Sequence, residues 1–147
     1  MNKITTVAAQ ETTASVIGID LAKNIFALHG INGLGRSALV RPSVRREQLL
    51  ALLAQLPPCV IGMEACSGAH HWARHLLKLG HTPKLMAPKF VAPYRLQGRH
   101  GKNDANDAAA ICEAVTRPKM RFVPIKSEDE RMAWALLAKG QAFQARP

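Results

Sequence analysis

The sequence predicts an α/β fold: a mixed sheet, opened by an antiparallel hairpin and continued by parallel crossovers, with helices flanking it. Two observations lead there. Short apolar runs recur at 15–22 and 59–64, the first nearly continuous, and continuity marks strands buried on both faces. The order of elements is the second: strand candidates crowd the first forty residues around a turn, and helix and strand alternate after them.

Ser15 to Ala22 is the first strand and Asn24 to His29 the second. Gly30-Ile31-Asn32-Gly33-Leu34-Gly35 follows, and its Asn-Gly dipeptide is a hairpin signal. These glycines stand in the wrong order for a dinucleotide fingerprint, so they read as a turn, after which Ser37 to Val40 pairs back as a third strand. Ser43 then caps a helix through Leu56, where Leu49, Leu52, Leu53 and Leu56 share one face. Pro57-Pro58 ends it, and Cys59 to Glu64 returns as a strand. A helix from Ala69 to Leu79 stops at Gly80, which supplies a left-handed cap. Thr82 to Ala87 is a short strand, Pro88 to Gly98 a proline-spaced segment, and a helix runs from near Asp104 to about Thr116, before Pro118. Ser127-Glu128-Asp129-Glu130 is a capping box that opens another helix. This is the order of a ribonuclease H-like fold.

A chain of 147 residues suits one domain with a real hydrophobic core. Residues 1–14, rich in Thr, Ala and Gln with one lysine, read as a frayed, disordered leader, and 15–126 as the domain. Residues 127–147 read as a truncated helical segment, because a helix with a full capping box and an apolar Trp134, Leu136 and Leu137 then runs out. No apolar run approaches the ~18–20 residues that span a bilayer, so no membrane role is expected. Cys59, Cys66 and Cys112 are odd in number and lie in apolar or helical surroundings, which suits buried thiols in a reducing cytoplasm.

Twenty basic residues face ten acidic ones, a formal charge of +10 that points to a polyanionic partner. No acid occurs between Ala65 and Asn103, whereas Arg74, Lys78, Lys84, Lys89, Arg95, Arg99 and Lys102 do, with five of the six histidines. A solvated face would interleave acids with these cations, so the tract reads as a surface for nucleic acid.

Against that scarcity, four acids stand out. Asp20 ends Val16-Ile17-Gly18-Ile19-Asp20, Glu64 ends Val60-Ile61-Gly62-Met63-Glu64, and Asp104 and Asp107 open a helix three residues apart. Neighbouring strands lie roughly 4.8 Å apart, so acids at their ends can share a cation. Positions i and i+3 of a helix bring Cβ atoms to about 5–6 Å. Carboxylates so close repel one another, and a divalent cation relieves that. Oxygen donors without Cys or His favour Mg²⁺ (or Mn²⁺) over zinc, and two such ions suit phosphodiester chemistry. Lys102 and Lys23 are placed to neutralise phosphate nearby. Asp104 also suits a helix cap and Asp107 a first-turn acid favoured by the helix dipole. Asp20 and Glu64 resist such readings, since acids ending buried strands are costly unless paired or coordinated.

Val16 to Asn24, Met63 to Arg74 (Met-Glu-Ala-Cys-Ser-Gly-Ala-His-His-Trp-Ala-Arg) and Lys102 to Ala114 closely resemble the bacterial DEDD-type insertion-sequence transposases, the insertion sequence 110 family. The likeness covers Ser15 to Ser127, with three motifs in the family's order. It implies a RuvC-like fold, with Asp20, Glu64, Asp104 and Asp107 as metal ligands and as the catalytic acids. It implies DNA recombination that moves an insertion sequence, guidance by a structured RNA, assembly as a homo-oligomer when full length, and a cytoplasmic, nucleoid-associated location. The basic residues Lys23, Arg74, Lys89, Arg95, Arg99 and Lys102 would then contact DNA, that RNA, or both. The family carries a long helical linker, whose start residues 127–147 resemble, and a second domain with a nucleophilic serine; no serine of this chain matches it, so the resemblance does not imply autonomous transposition.

Other readings remain. A RuvC-like nuclease or junction resolvase would need the same metal and no serine. A non-catalytic nucleic-acid-binding remnant would need the basic surface alone. An ATP-handling fold of the actin class also starts from a strand-borne acid, but requires phosphate and adenosine loops that this chain lacks. Cys66, His70, His71 and His75 invite zinc, yet no second Cys/His pair completes a tetrahedral site. Trp72 is spaced with Leu76 and Leu79 as core. Phe90 and Tyr94 suit either base stacking or packing onto the sheet.

Overall fold

The computed structural model describes residues 13–95 and 104–129, with 132, 136 and 137 beyond them; for 104 and 105 only the backbone is described. In chain order these residues form β1 (Val16–Asp20), β2 (Ile25–Ile31), β3 (Ser37–Arg45), α1 (Leu49–Ala54), β4 (Val60–Glu64), α2 (Ser67–Lys78), β5 (Thr82–Met86), the single turn α3 (Pro88–Val91) and α4 (Asp104–Val115). A 3₁₀ turn at Arg46–Gln48 leads into α1, and another at Ala92–Tyr94 follows α3.

The strands form one sheet in the order β3-β2-β1-β4-β5. The β1–β2 and β2–β3 pairs are antiparallel, and the β1–β4 and β4–β5 pairs parallel. A hairpin meander followed by two parallel crossovers is the ribonuclease H-like arrangement that the element order predicts.

Strand side chains alternate between the two faces. On one, Ile17 and Ile19 of β1 and Ile61 and Met63 of β4 are fully buried against Leu49 and Leu53 of α1 and Trp72 and Leu76 of α2. Trp72 is core as expected, edge-on to Phe26 at 5.3 Å. On the other face α4 lies directly on the sheet. A Cβ on Gly18 would come within 2.4 Å of the Ala108 carbonyl oxygen and of the Cys112 nitrogen, and one on Gly62 within 2.9 Å of the Val115 Cβ. Gly18 and Gly62 are partners in the β1–β4 register, so a side by side pair of missing side chains makes the bed for the helix.

The region around Ser43 differs from the sequence reading. Ser43 caps no helix; β3 continues to Arg45 and α1 begins only at Leu49. Pro42 does not break the strand because β3 is an edge strand and the pairing with β2 jumps from Leu28↔Arg41 to Phe26↔Val44, a bulge in which a missing N–H costs nothing. The preceding turn is held by the buried Asn32, whose Oδ1 accepts from Leu34 N (2.9 Å) and Arg36 N (3.0 Å), with Gly35 taking the positive φ of 79°. Gly80, at φ 89°, does follow α2 as read.

Past α4 the chain returns to the sheet edge, where Val123 N donates to Leu85 O at 2.7 Å. Lys126 N donates to His70 Nδ1 (3.1 Å) and Arg74 donates to Lys126 O (2.8 Å), which fastens this segment to α2. Glu128 and Asp129 have helical backbone, as the capping box predicts. Most of the 1–14 leader and of the 127–147 linker lies outside the described residues. Ala14, however, packs into the core. Among the described residues no helix is long and apolar enough to cross a membrane.

Candidate metal centre and nucleic-acid interface

The register of the two central strands aligns the first two acids. The parallel pairing ends at Ile19↔Met63, and one further step sets Asp20 level with Glu64. By alternation both share the face of Gly18 and Gly62, the face that α4 covers. α4 runs against β1: Gly18 lies by Ala108 and Cys112, and the Cys112 thiol donates to the carbonyl of Val16 at 3.6 Å. Advancing along β1 toward Asp20 therefore means moving back along α4 toward its first turn. Asp104, which starts that helix, and Asp107 sit at the same end as Asp20 and Glu64. The side chain of Asp104 lies outside the described residues.

Arg95 joins two of these acids. Its guanidinium forms ion pairs with Glu64 Oε1 and, through Nε at 3.2 Å, with Asp107 Oδ1. The three side chains are only 29%, 23% and 25% exposed. Two carboxylates so sheltered would repel strongly, and a cation between them offsets the cost. Their surroundings thus favour positive charge, and an all-oxygen donor set fits a hard divalent ion. Further along α4, burial pushes the Cys112 thiol up to about 11. Among the described residues no group of three or more His, Cys, Asp and Glu side chains is gathered closely enough to hold a metal.

The basic residues distribute unevenly. Lys23 is exposed three positions past Asp20, at the same end of the sheet. Arg74 is taken up in the fastening to Lys126 and lies 4.0 Å from Glu128. Lys89 lines a groove of about 310 Å³ with Phe90, Pro93, Tyr94, Arg117, Lys119, Met120 and Arg121. No acid lines it, Lys89 lies over the ring of Phe90 at 5.1 Å, and Arg117 lies over Tyr94 at 5.8 Å. Tyr94 packs on the core beneath α4, while Phe90 stays 37% exposed. Arg99 and Lys102 lie outside the described residues. Arg117, Lys119 and Arg121 line this groove but lie beyond the acid-free tract, which ends at Asn103. The run Arg117-Pro118-Lys119-Met120-Arg121, directly after a helix, was the available signal.

The histidines of α2 divide between structural tasks. His70 accepts from Lys126 N, and burial, then the nearby charges of Lys126 and Arg74, hold its pKa below the ordinary value. His71 stacks edge-on with Trp72 at 5.2 Å and with His75 at 4.6 Å. Cys59 and Cys112 are buried as expected, but Cys66, at the N-cap before α2, is an exposed free thiol. His81, away from the helix, is fixed by Leu53 O at 2.7 Å and Cys59 N at 3.2 Å.

Searched against protein-family models, the chain matches none. Individual proteins match well. The chain is 49% identical over 117 residues to a probable family 20 transposase of Pseudomonas aeruginosa, covering 80% of this chain and 33% of that protein. It is 47% identical over 122 residues to the transposase for insertion sequence element IS1328 of Yersinia enterocolitica, covering 83% and 35%. It is 40% identical over 122 residues to the transposase for insertion sequence element IS1111A of Coxiella burnetii, covering 83% and 32%. The chain spans about a third of the length of these curated relatives. Over four-fifths of its own length, then, a ribonuclease H-like chain with acids at two strand ends and a helix start is similar to insertion-sequence transposases.

Proposed function

We propose that this chain carries the metal-binding and DNA-contacting part of an insertion-sequence transposase of the DEDD type. The observation that carries the reading is the convergence at one end of the sheet: Asp20 level with Glu64 on adjacent parallel strands, and the first turn of α4, with Asp107, folded back onto the same face. The reaction proposed for the assembled transposase is DNA transposition, and the share proposed for these residues is to bind metal and phosphate.

Asp20, Glu64, Asp104 and Asp107 would hold Mg²⁺ or Mn²⁺. When bound, such ions activate an attacking oxygen and stabilise the leaving oxygen of a phosphodiester. The chain's own contribution is placement. Two hydrogen-bonded central strands fix Asp20 and Glu64, and Gly18 and Gly62 let α4 lie close against them, with Asp107 at the same end of the sheet and linked to Glu64 through Arg95. Lys23, Lys89, Arg117, Lys119 and Arg121 supply charge for the phosphate backbone, with Arg99 and Lys102 assigned the same task on sequence grounds. By the family likeness the proposal extends to a structured guide RNA as a second partner, to a homo-oligomer in the full-length protein, and to work in the cytoplasm at the nucleoid.

The test is binding of fluorescent duplex and branched DNA in Mg²⁺ over 50–200 mM salt. Five phosphate contacts predict a slope of log K against log salt of about −4.5. A slope near zero would overturn the reading.

A further inference from the structure

Arg95 stands out because it does what a metal ion would do in the same place. One guanidinium spans Glu64 of β4 and Asp107 of α4, residues 31 and 12 positions away in sequence, and all three side chains are about three-quarters sheltered from solvent. Its backbone is anchored rather than loose: Arg95 N donates to Ala92 O at 3.1 Å, closing the 3₁₀ turn, and the turn leans on the buried Val91 and on Tyr94.

We propose that Arg95 is the resident counter-cation of the carboxylate cluster, holding Glu64 and Asp107 in the metal-free chain and giving them up when a divalent ion binds. This rests on the reading of the four acids as metal ligands. The two cations exclude each other for two reasons. A divalent ion would draw on carboxylate oxygens of Glu64 and Asp107, yet Glu64 Oε1 is already ion-paired with the guanidinium and Asp107 Oδ1 already accepts from its Nε–H. A divalent ion and a guanidinium a few ångströms apart also repel in a sheltered site. Arg95 therefore sets a threshold: it stabilises the empty cluster and weakens metal affinity, so that the site loads only when metal is abundant or when another anion, such as a phosphate, draws the guanidinium away. A purely structural clamp would act in the opposite sense, since losing it would let the acids drift apart and weaken metal binding.

Mn²⁺ binding to the whole chain, read as free Mn²⁺ by electron paramagnetic resonance, separates the two. Arg95→Met, which keeps the stem and removes the charge, is expected to bind Mn²⁺ about tenfold more tightly than wild type. In chelator it should melt at a lower temperature, with the gap closing as Mn²⁺ is added. Equal or weaker Mn²⁺ binding by Arg95→Met would overturn the competition while leaving the metal reading intact. If neither protein binds Mn²⁺, the metal reading itself fails. Should Arg95→Met not fold, Mg²⁺ titration of wild type followed through the Arg95 Nε–H resonance decides the matter: movement is expected, and a fixed resonance through saturation of the site would overturn the proposal.

Discussion

The two faces of the sheet are built on opposite terms. Toward α1 and α2 the central strands present Ile17, Ile19, Ile61 and Met63, large side chains that keep the helices at a distance and fill the gap. Toward α4 the same strands present Gly18 and Gly62, and at Gly18 the helix backbone lies against the strand backbone. The first face can absorb small errors by shifting side chains. The second cannot at Gly18, where the atoms in contact are main chain. Stability therefore resides mostly in one face and positional accuracy in the other, and the acids lie on the accurate one.

Substitutions on each face separate these roles. Leu76→Ala removes a fully buried side chain from the α2 face and should cost about 3 kcal/mol or more in urea unfolding. The folded fraction should still bind Mn²⁺ like wild type. Gly18→Ala adds a single methyl against the Ala108 and Cys112 backbone and should cost about 3 kcal/mol, but with Mn²⁺ affinity reduced as well, because α4 must lift with Asp107 on it. Gly62→Ala meets only the side chain of Val115, and about 1 kcal/mol is expected. If Gly18→Ala leaves Mn²⁺ binding unchanged, the contrast between the faces is wrong.

A smaller effect concerns the fastening at the sheet edge. His70 accepts from Lys126 N only when neutral, and its folded pKa lies below the ordinary 6.5. Below that value the unfolded chain takes up a proton that the folded chain refuses, so stability is present above it and is lost as pH falls through the folded pKa. Melting temperature measured from pH 7.5 to 5 should drop more for wild type than for His70→Gln. Parallel curves would remove His70 from the explanation.

Much of the fold was legible because buried strands announce themselves. Val16-Ile17-Gly18-Ile19-Asp20 and Val60-Ile61-Gly62-Met63-Glu64 share one pattern, and the acid two residues past each glycine is a placement that sequence can show. Ser43 misled because Pro42-Ser43 before a leucine-rich run resembles a helix start locally, while the pairing of Val44 with Phe26 is a long-range fact that outweighs it. Arg95 illustrates the same limit. In sequence it is one cation among seven in an acid-free tract, and its position against Glu64 and Asp107 depends on how β4, the 3₁₀ turn and α4 come together. The groove beside Lys89 also needed the fold, which brings Arg117 and Arg121 to a segment more than twenty residues earlier.

The most direct measurement is a Mn²⁺ titration of wild type beside Asp20→Asn, Glu64→Gln and the double variant Asp104→Asn/Asp107→Asn, each checked for folding by its melting temperature in chelator. Saturable binding by wild type, weakened about tenfold or more in each folded variant, is the predicted result. Isotherms that superimpose across all four proteins would contradict a metal centre built from these acids.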